Sequence, residues 1–352
     1  MAKILTYDEV LSLINMEDAV KSCERTFGGF GAGTVINPTK VTLDVGEVAP
    51  YPPYEGFFNA MPAYLGYDDY DVAGIKWVLG ILGHRRKAGL PFISGMILLA
   101  DPRLGIFKAV MDGKYITNLR TGAQTAVTLK YVFKGRKGIR VGLYGCGIQG
   151  RTQIEAISKV FEIEELRLYD IFPAAMDKFK ADMSWCVKGE IIPCATPAEA
   201  ADADALITVT QAKEPFLTKD MVKPGTMVFP MGSYKEVTDD LILAADTIVV
   251  DHVGQALHRG GLKSLAEAGL ITEANFSATV GELVNGDKDL GDVSQKRMVC
   301  ALIGTGAMDI GCAEMVYRRA VERGIGQEFD FNGELLSTCL TAKVFDPKAC
   351  RE

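Results

Sequence analysis

Apolar and polar positions change period along the chain, and the changes mark its elements. Thr6-Tyr7-Asp8-Glu9 has the spacing of a capping box opening a short helix through Ile14, and Asn15 with Asp18 three residues on opens a second. The second helix is expected to run to about Phe27. Gly28-Gly29-Phe30-Gly31-Ala32-Gly33 then stops it; no strand precedes these glycines, so they read as a helix-terminating turn and not as a phosphate loop. From Thr39 to Asp112 the pattern is strand-like, at 41–45, 57–63, 73–78, 93–99 and 105–111, with Gly, Pro and Asp between the runs. Successive short strands predict an antiparallel sheet.

Residues 116–132 return to helical spacing and carry Arg120, after which Lys134-Gly135-Arg136-Lys137-Gly138 makes a basic, glycine-punctuated boundary. Beyond it strand and helix alternate: strands at 139–144, 165–169, 190–194, 205–210, 226–229 and 247–251, with helices at 148–160 and 173–187. That alternation is the grammar of a doubly wound parallel sheet. A long helical stretch from about 293 to 323 is expected to lead back to the first unit, ahead of an irregular tail. The fold class is therefore α/β: a Rossmann doubly wound parallel-sheet domain plus a discontinuous α+β domain.

Length agrees, since 352 residues exceed one typical domain of ~100–200. Apolar residues at 48% and charged ones at 24% match a globular chain, which excludes disorder and low complexity. Lys plus Arg total 38 against 45 Asp plus Glu, a net −7 that gives little field for attracting a phosphate backbone, so no nucleic acid partner is expected. No apolar run approaches ~18 residues and the N-terminus lacks a signal h-region, so no membrane partner and a cytoplasmic location are expected. The eight cysteines are scattered without a C-x-x-C pair and read as free thiols; with only His84, His252 and His258 beside them, no metal site is expected. Such a composition points to cofactor chemistry.

The cofactor signal follows the 139–144 strand at once. Gly145-Cys146-Gly147-Ile148-Gln149-Gly150 is G-x-G-x-x-G between a buried strand and a helix. Gly145 permits the tight turn, Gly147 lets main chain approach a pyrophosphate, and Gly150 lets helix and strand pack closely, while the helix N-terminus offers unpaired N–H groups to the anion. Asp170 ends the next strand, twenty residues past Gly150, where a carboxylate accepts from both ribose hydroxyls and repels a 2′-phosphate. Ile171, Phe172 and Pro173 bring no cation to offset that repulsion, so NAD is expected over NADP.

Beyond the fingerprint, Met61-Pro62-Ala63-Tyr64, Gly74-Ile75-Lys76-Trp77-Val78, Ala109-Val110-Met111-Asp112-Gly113, Leu119-Arg120-Thr121-Gly122-Ala123, the Gly145 loop, and Asp251 with Gln255 stand in an order that resembles the ornithine cyclodeaminase/mu-crystallin family. The resemblance spans about residues 1–326. It implies hydride exchange between a nicotinamide and the α-carbon of an amino acid or imine, with basic side chains holding the carboxylate. It implies a homodimer paired through the antiparallel sheet, with residues 1–125, joined by 313–352, binding substrate and dimerising, and 126–312 binding NAD.

Carried over residue by residue, the resemblance implies that Lys40, Lys76 and Arg120 hold the substrate carboxylate, Lys40 standing where an arginine is common. Three cations around one small anion make chemical sense, because a carboxylate leaving water needs charge-assisted partners. The bland alternative is a solvated Lys40 and an ion-paired Arg120. Further implied cofactor contacts are Ile148 and Gln149 at the pyrophosphate, Thr210, Thr121, and Met231 with Ser233 beneath the nicotinamide; Thr210 and Thr121 equally suit caps. Gly304 stands where a serine is frequent, with Thr305 beside it as a substitute contact. The segment from Tyr51 to Phe58 suits a lid or a dimer contact.

The departures decide between chemistries. Where the cyclodeaminases carry a catalytic aspartate and a glutamate, this chain has Ser233, which the resemblance places with Lys76 at the catalytic position, and Asn59, which it places against the substrate. Ring closure with loss of ammonia consists of proton transfers that want a carboxylate. Hydride transfer asks for a held carboxylate and one proton shuttle; Lys76 suits that role, because a neighbouring Arg120 and a dry pocket both favour its neutral amine. An NAD-dependent amino-acid dehydrogenase or imine reductase is therefore expected, acting on a small amino acid, imine or 2-oxo acid. Deaminating cyclisation of ornithine is the first alternative, and a dinucleotide-dependent binding protein the second.

Overall fold

The computed structural model describes residues 1–45, 56–81, 85, 87–231 and 234–331. Two sheets organise them. The first contains β1 (Ala2–Leu5), β2 (Val35–Ile36), β3 (Val41–Asp44), β4 (Gly56–Leu65), β5 (Val72–Ile81), β6 (Ile93–Asp101), β7 (Ile106–Asp112) and, from far along the chain, β16 (Gln327–Phe329). Its order is β16-β1-β7-β6-β5-β4-β2, with β3 also on β4. Strands β4 to β7 form the antiparallel meander that the short alternating runs predict. The sheet is nevertheless mixed, because β1 pairs parallel with β7. Parallel neighbours need a long crossover, and the excursion from Leu5 to Ile106 supplies it.

The capping boxes are present at Thr6 and Asn15, opening the helices Tyr7–Leu13 and Met16–Gly31. The second helix runs into the glycines expected to stop it and ends among them, at Gly31. They also serve packing: a Cβ on Gly29 would lie 2.5 Å from the Tyr67 ring, and one on Gly31 would lie 2.6 Å from the Gly281 carbonyl oxygen. Close approach of neighbouring elements is what Gly29 and Gly31 permit, while Gly33, at φ +71°, makes the turn that follows the helix.

The second sheet is wholly parallel, in the order β10-β9-β8-β11-β12-β15-β13-β14. It comprises β8 (Gly138–Tyr144), β9 (Glu162–Tyr169), β10 (Glu190–Pro193), β11 (Ala205–Thr208), β12 (Met227–Pro230), β13 (Thr247–Val250), β14 (Ala278–Thr279) and β15 (Met298–Ala301). From β10 to β12 this is the doubly wound order, reversing beside β8. The expected helix from 293 to 323 divides here. Met298-Val299-Cys300-Ala301 is a fully buried apolar run and inserts as β15 between β12 and β13. Gly304, at φ +76°, turns the chain, and helix begins only at Gly306, running to Arg323. A short continuous apolar run suits a strand covered on both faces, and its length separates it from helix.

The helix Lys114–Val132 joins the sheets and is buried along most of its length. It crosses the helix Ile148–Ser158 so closely that a Cβ on Gly122 would fall 2.2 Å from the Thr152 carbonyl oxygen. That contact brings Arg120 and Thr121 beside the glycine loop. Among the described residues, no helix is long and apolar enough to cross a membrane, and no cluster of His, Cys, Asp or Glu suits a metal ion.

Candidate functional site

A cleft of about 580 Å³ opens where the inner face of the first sheet, the 114–132 helix and the strand ends of the second sheet meet. Strand alternation sets its floor. In β5, Lys76 and Val78 turn inward, while Trp77 between them is 54% exposed on the other face. Asn59 and Met61 reach the cleft from β4, Thr117, Arg120 and Thr121 from the 114–132 helix, and Gly147, Ile148 and Gln149 from the glycine loop. Thr210 and Met231 enter from beyond β11 and β12, and Lys40 from just before β3.

The three cations named from sequence thus share one cavity, and none is simply solvated. Lys76 is fully buried and its Nζ donates to Asp309 Oδ2 at 2.6 Å. Arg120, also buried, donates through Nε to Asp309 Oδ1 at 3.2 Å. Lys40 donates through Nζ to the Ile303 carbonyl at 3.1 Å, with the Gly304 carbonyl at 3.5 Å, and its own carbonyl accepts from Arg259 Nη2. Burial, then the nearby Arg120, pushes the Lys76 amine down to about 7 despite Asp309. The same two causes bring Lys40 to about 8.

Sequence reading missed Asp309. It is fully buried on the Gly306–Arg323 helix, where Thr117 Oγ1 also reaches it at 3.5 Å. The available signal was a carboxylate amid Gly306, Ala307, Met308 and Ile310, a stretch otherwise uncharged and buried. A buried charge needs a partner, and its partners were already known as candidates.

The glycine loop has the geometry its spacing predicts. Gly145 sits at φ +101°, a region side chains rarely adopt, and a Cβ on Gly150 would strike the Gly145 carbonyl oxygen at 2.4 Å. Gly147 is different: a Cβ there would meet no atom, since the residue borders open cleft. It is also the N-cap of the Ile148–Ser158 helix, with no side chain capping the N–H groups of the first turn. Asp170 accepts from the Cys146 N–H at 2.8 Å and the Phe172 N–H at 3.0 Å, so it is anchored beside the loop. An open glycine, bare helix N–H groups and an anchored acid fit a dinucleotide.

Other expected residues divide. Gln149 lines the cleft and donates through Nε2 to Asn118 Oδ1 at 2.9 Å. Thr210 commits both its N–H and its hydroxyl to Glu236, Thr121 donates its hydroxyl to the Thr117 carbonyl, and Met231 Sδ accepts from Thr125. Asn59 borders the cavity and accepts from Thr42 Oγ1 at 2.6 Å. Thr305 is fully buried outside the cleft lining, its hydroxyl without a partner. Ser233 and the stretch 51–55 lie outside the described residues, while Phe57 lines the cleft.

The model of the ornithine cyclodeaminase/mu-crystallin family matches residues 1–324. The alanine dehydrogenase of Archaeoglobus fulgidus is 34% identical over 93% of this chain and 98% of its own length. Among solved structures, Δ1-pyrroline-2-carboxylate reductase of Thermococcus litoralis, in complex with NADH and L-proline, superposes with a TM-score of 0.84 at 29% identity, covering 93% of this chain and all of that one. An archaeal alanine dehydrogenase dimer with bound NAD gives 0.83 at 31%, covering 94% and 99%.

Proposed function

The chain belongs to the ornithine cyclodeaminase/mu-crystallin family, and on that premise we propose how its cleft carries out the reaction. It is an NAD-dependent oxidoreductase of the amino-acid dehydrogenase and imine reductase kind. One observation carries the assignment of roles: Lys40, Lys76 and Arg120 enter the same cavity as Gly147, Ile148 and Gln149. A small anion gripped by the first group stands next to a dinucleotide held by the second.

Bound NAD supplies the hydride acceptor, and its reduced form the donor. The protein's share is positioning and proton movement. Arg120 and Lys40 hold the substrate carboxylate, so that the α-carbon faces the loop side of the cleft. Neutral Lys76 takes the proton released from the α-amino group, and in the reverse direction the protonated amine returns it. Oxidation of an amino acid then balances as amino acid, NAD⁺ and water giving 2-oxo acid, ammonium, NADH and one proton. Gly145, Gly150 and Asp170 seat the dinucleotide, with Met231, Thr121 and Thr210 along its path.

Asn59 at the cavity wall supports hydride transfer over cyclisation, because an amide cannot accept the protons that ring closure sheds. A second copy of the chain suits the outer face of the first sheet. Trp77 and the cross-strand Met96 are 54% and 50% exposed there.

A substrate screen read by NADH absorbance tests this reading, offering amino acids with NAD⁺ in one direction and 2-oxo acids with ammonia or amines, and cyclic imines, with NADH in the other. NADH turnover with a carboxylate-bearing amine or imine is the expected result. Conversion of ornithine to proline and ammonia without net NADH would replace it with the cyclodeaminase reading.

A further inference from the structure

Asp309 carries an inference beyond these roles. Its two carboxylate oxygens are divided between two cations on different elements: Oδ2 accepts from Lys76 of β5 and Oδ1 from Arg120 of the 114–132 helix. The carboxylate belongs to a third element, the Gly306–Arg323 helix, and is wholly shielded from solvent. It takes no part in lining the cleft. A group so placed touches the substrate's holders but not the substrate.

We propose that Asp309 is the positioning residue of the clamp: one buried carboxylate fixes Lys76 and Arg120 as a rigid pair, and its charge decides how readily Lys76 carries a proton. The inference rests on the clamp reading above and adds a part to it. Two cations converging on one dry cavity repel each other, and in a medium of low dielectric the repulsion is far stronger than in water. A carboxylate between them offsets it and gives each long side chain a fixed anchor, reducing the rotamer freedom that binding would otherwise have to remove. Thr117 Oγ1, which donates to the Gly113 carbonyl at 2.6 Å, sits against the same oxygen as Arg120.

Charge counting shows why this anchor does not compete with the substrate. The groups facing Lys76 are Arg120 from the 114–132 helix, Asp309 from the 306–323 helix, and Lys40 from the segment before β3. Lys40 in turn faces the buried Asp251 and also Arg259, so four cations stand against two carboxylates and the clamp retains a positive excess. A substrate carboxylate completes it. The neutral amine of Lys76 is accessible because burial and Arg120 outweigh Asp309; without Asp309 the balance tips further, and Lys76 no longer holds a proton to give.

The test titrates Lys76 directly, without requiring turnover. Protein labelled with ¹³C at lysine Cε is followed by NMR against pH in the absence of ligands, with the Lys76 resonance assigned by its loss in Lys76→Met. Asp309→Asn is isosteric and neutral; Asp309→Ser is smaller and neutral, so whichever folds serves. The expected result is a Lys76 midpoint lower than wild type by about one pH unit or more, restored toward wild type in Asp309→Glu. Weaker binding of pyruvate to the NADH-loaded variants, by tenfold or more in order of magnitude, is expected alongside. A Lys76 midpoint unchanged in a folded neutral variant overturns the inference. Absence of any NADH-linked activity in the wild type would instead overturn the functional reading, leaving the titration to stand on its own.

Discussion

A Cβ on Gly304 would lie 2.4 Å from Nη1 of Arg120, and Gly304 itself sits at φ +76°. The guanidinium therefore occupies the space that any side chain at this position would claim. The family resemblance places a serine here, and the glycine of this chain is matched to where its Arg120 stands.

Gly304→Ala should push the Arg120 guanidinium aside, because the end of a flexible side chain yields before backbone does. Losing a hydrogen bond to a charged group costs about 1.5–3 kcal/mol, so KM for the carboxylate substrate should rise roughly 10- to 100-fold. NADH affinity should stay near wild type. Steady-state kinetics together with an NADH fluorescence titration check the pair, and an unchanged KM would dissociate Arg120 from substrate.

Gly147→Ala should separate cofactor binding from folding. The added methyl meets no protein atom and φ is −82°, so thermal stability should be unchanged, while NADH binding should weaken by about tenfold or more as the methyl fills space reserved for pyrophosphate. Fluorescence titration and a melting curve read the two properties; wild-type NADH affinity would remove Gly147 from the site.

The pH dependence follows from Lys76 near 7. Oxidation of an amino acid needs the neutral amine, so its rate should be low in acid and rise through about pH 7. Imine reduction needs the protonated amine and should fall through the same region. Rate profiles measured in both directions check the crossing, and parallel profiles would exclude Lys76 as the proton carrier.

Trp77→Glu combined with Met96→Lys should yield a monomer with the cleft intact, since both side chains leave the first sheet on the face opposite Lys76. Sedimentation velocity on wild type and variant measures it. A wild-type protein that sediments as a monomer would remove the second copy from that face.

How much was legible depends on how local each signal is. The capping boxes at Thr6 and Asn15 involve groups three residues apart, and the Gly145 loop with Asp170 lies within one strand–helix–strand unit, so spacing alone carries them. Gly29 and Gly31 marked the end of the helix, but their second purpose, to admit Tyr67 and Gly281, depends on residues distant in the chain. Met298-Val299-Cys300-Ala301 read as helix for a related reason: a run buried on both faces shows no period, and only its neighbours β12 and β13 make it a strand.

The three cations were named through the family resemblance; the sequence by itself determined a strand–glycine–helix loop with an acid at the end of the next strand. It did so because backbone conformation and side-chain charge are properties of residues and of short spacings. Only the tertiary structure decided that Lys76 and Arg120 share Asp309, 233 and 189 positions away, and that Gly304 yields its space to Arg120. Burial makes that partnership obligatory, since a charge removed from water must find its counterpart wherever the fold has brought one.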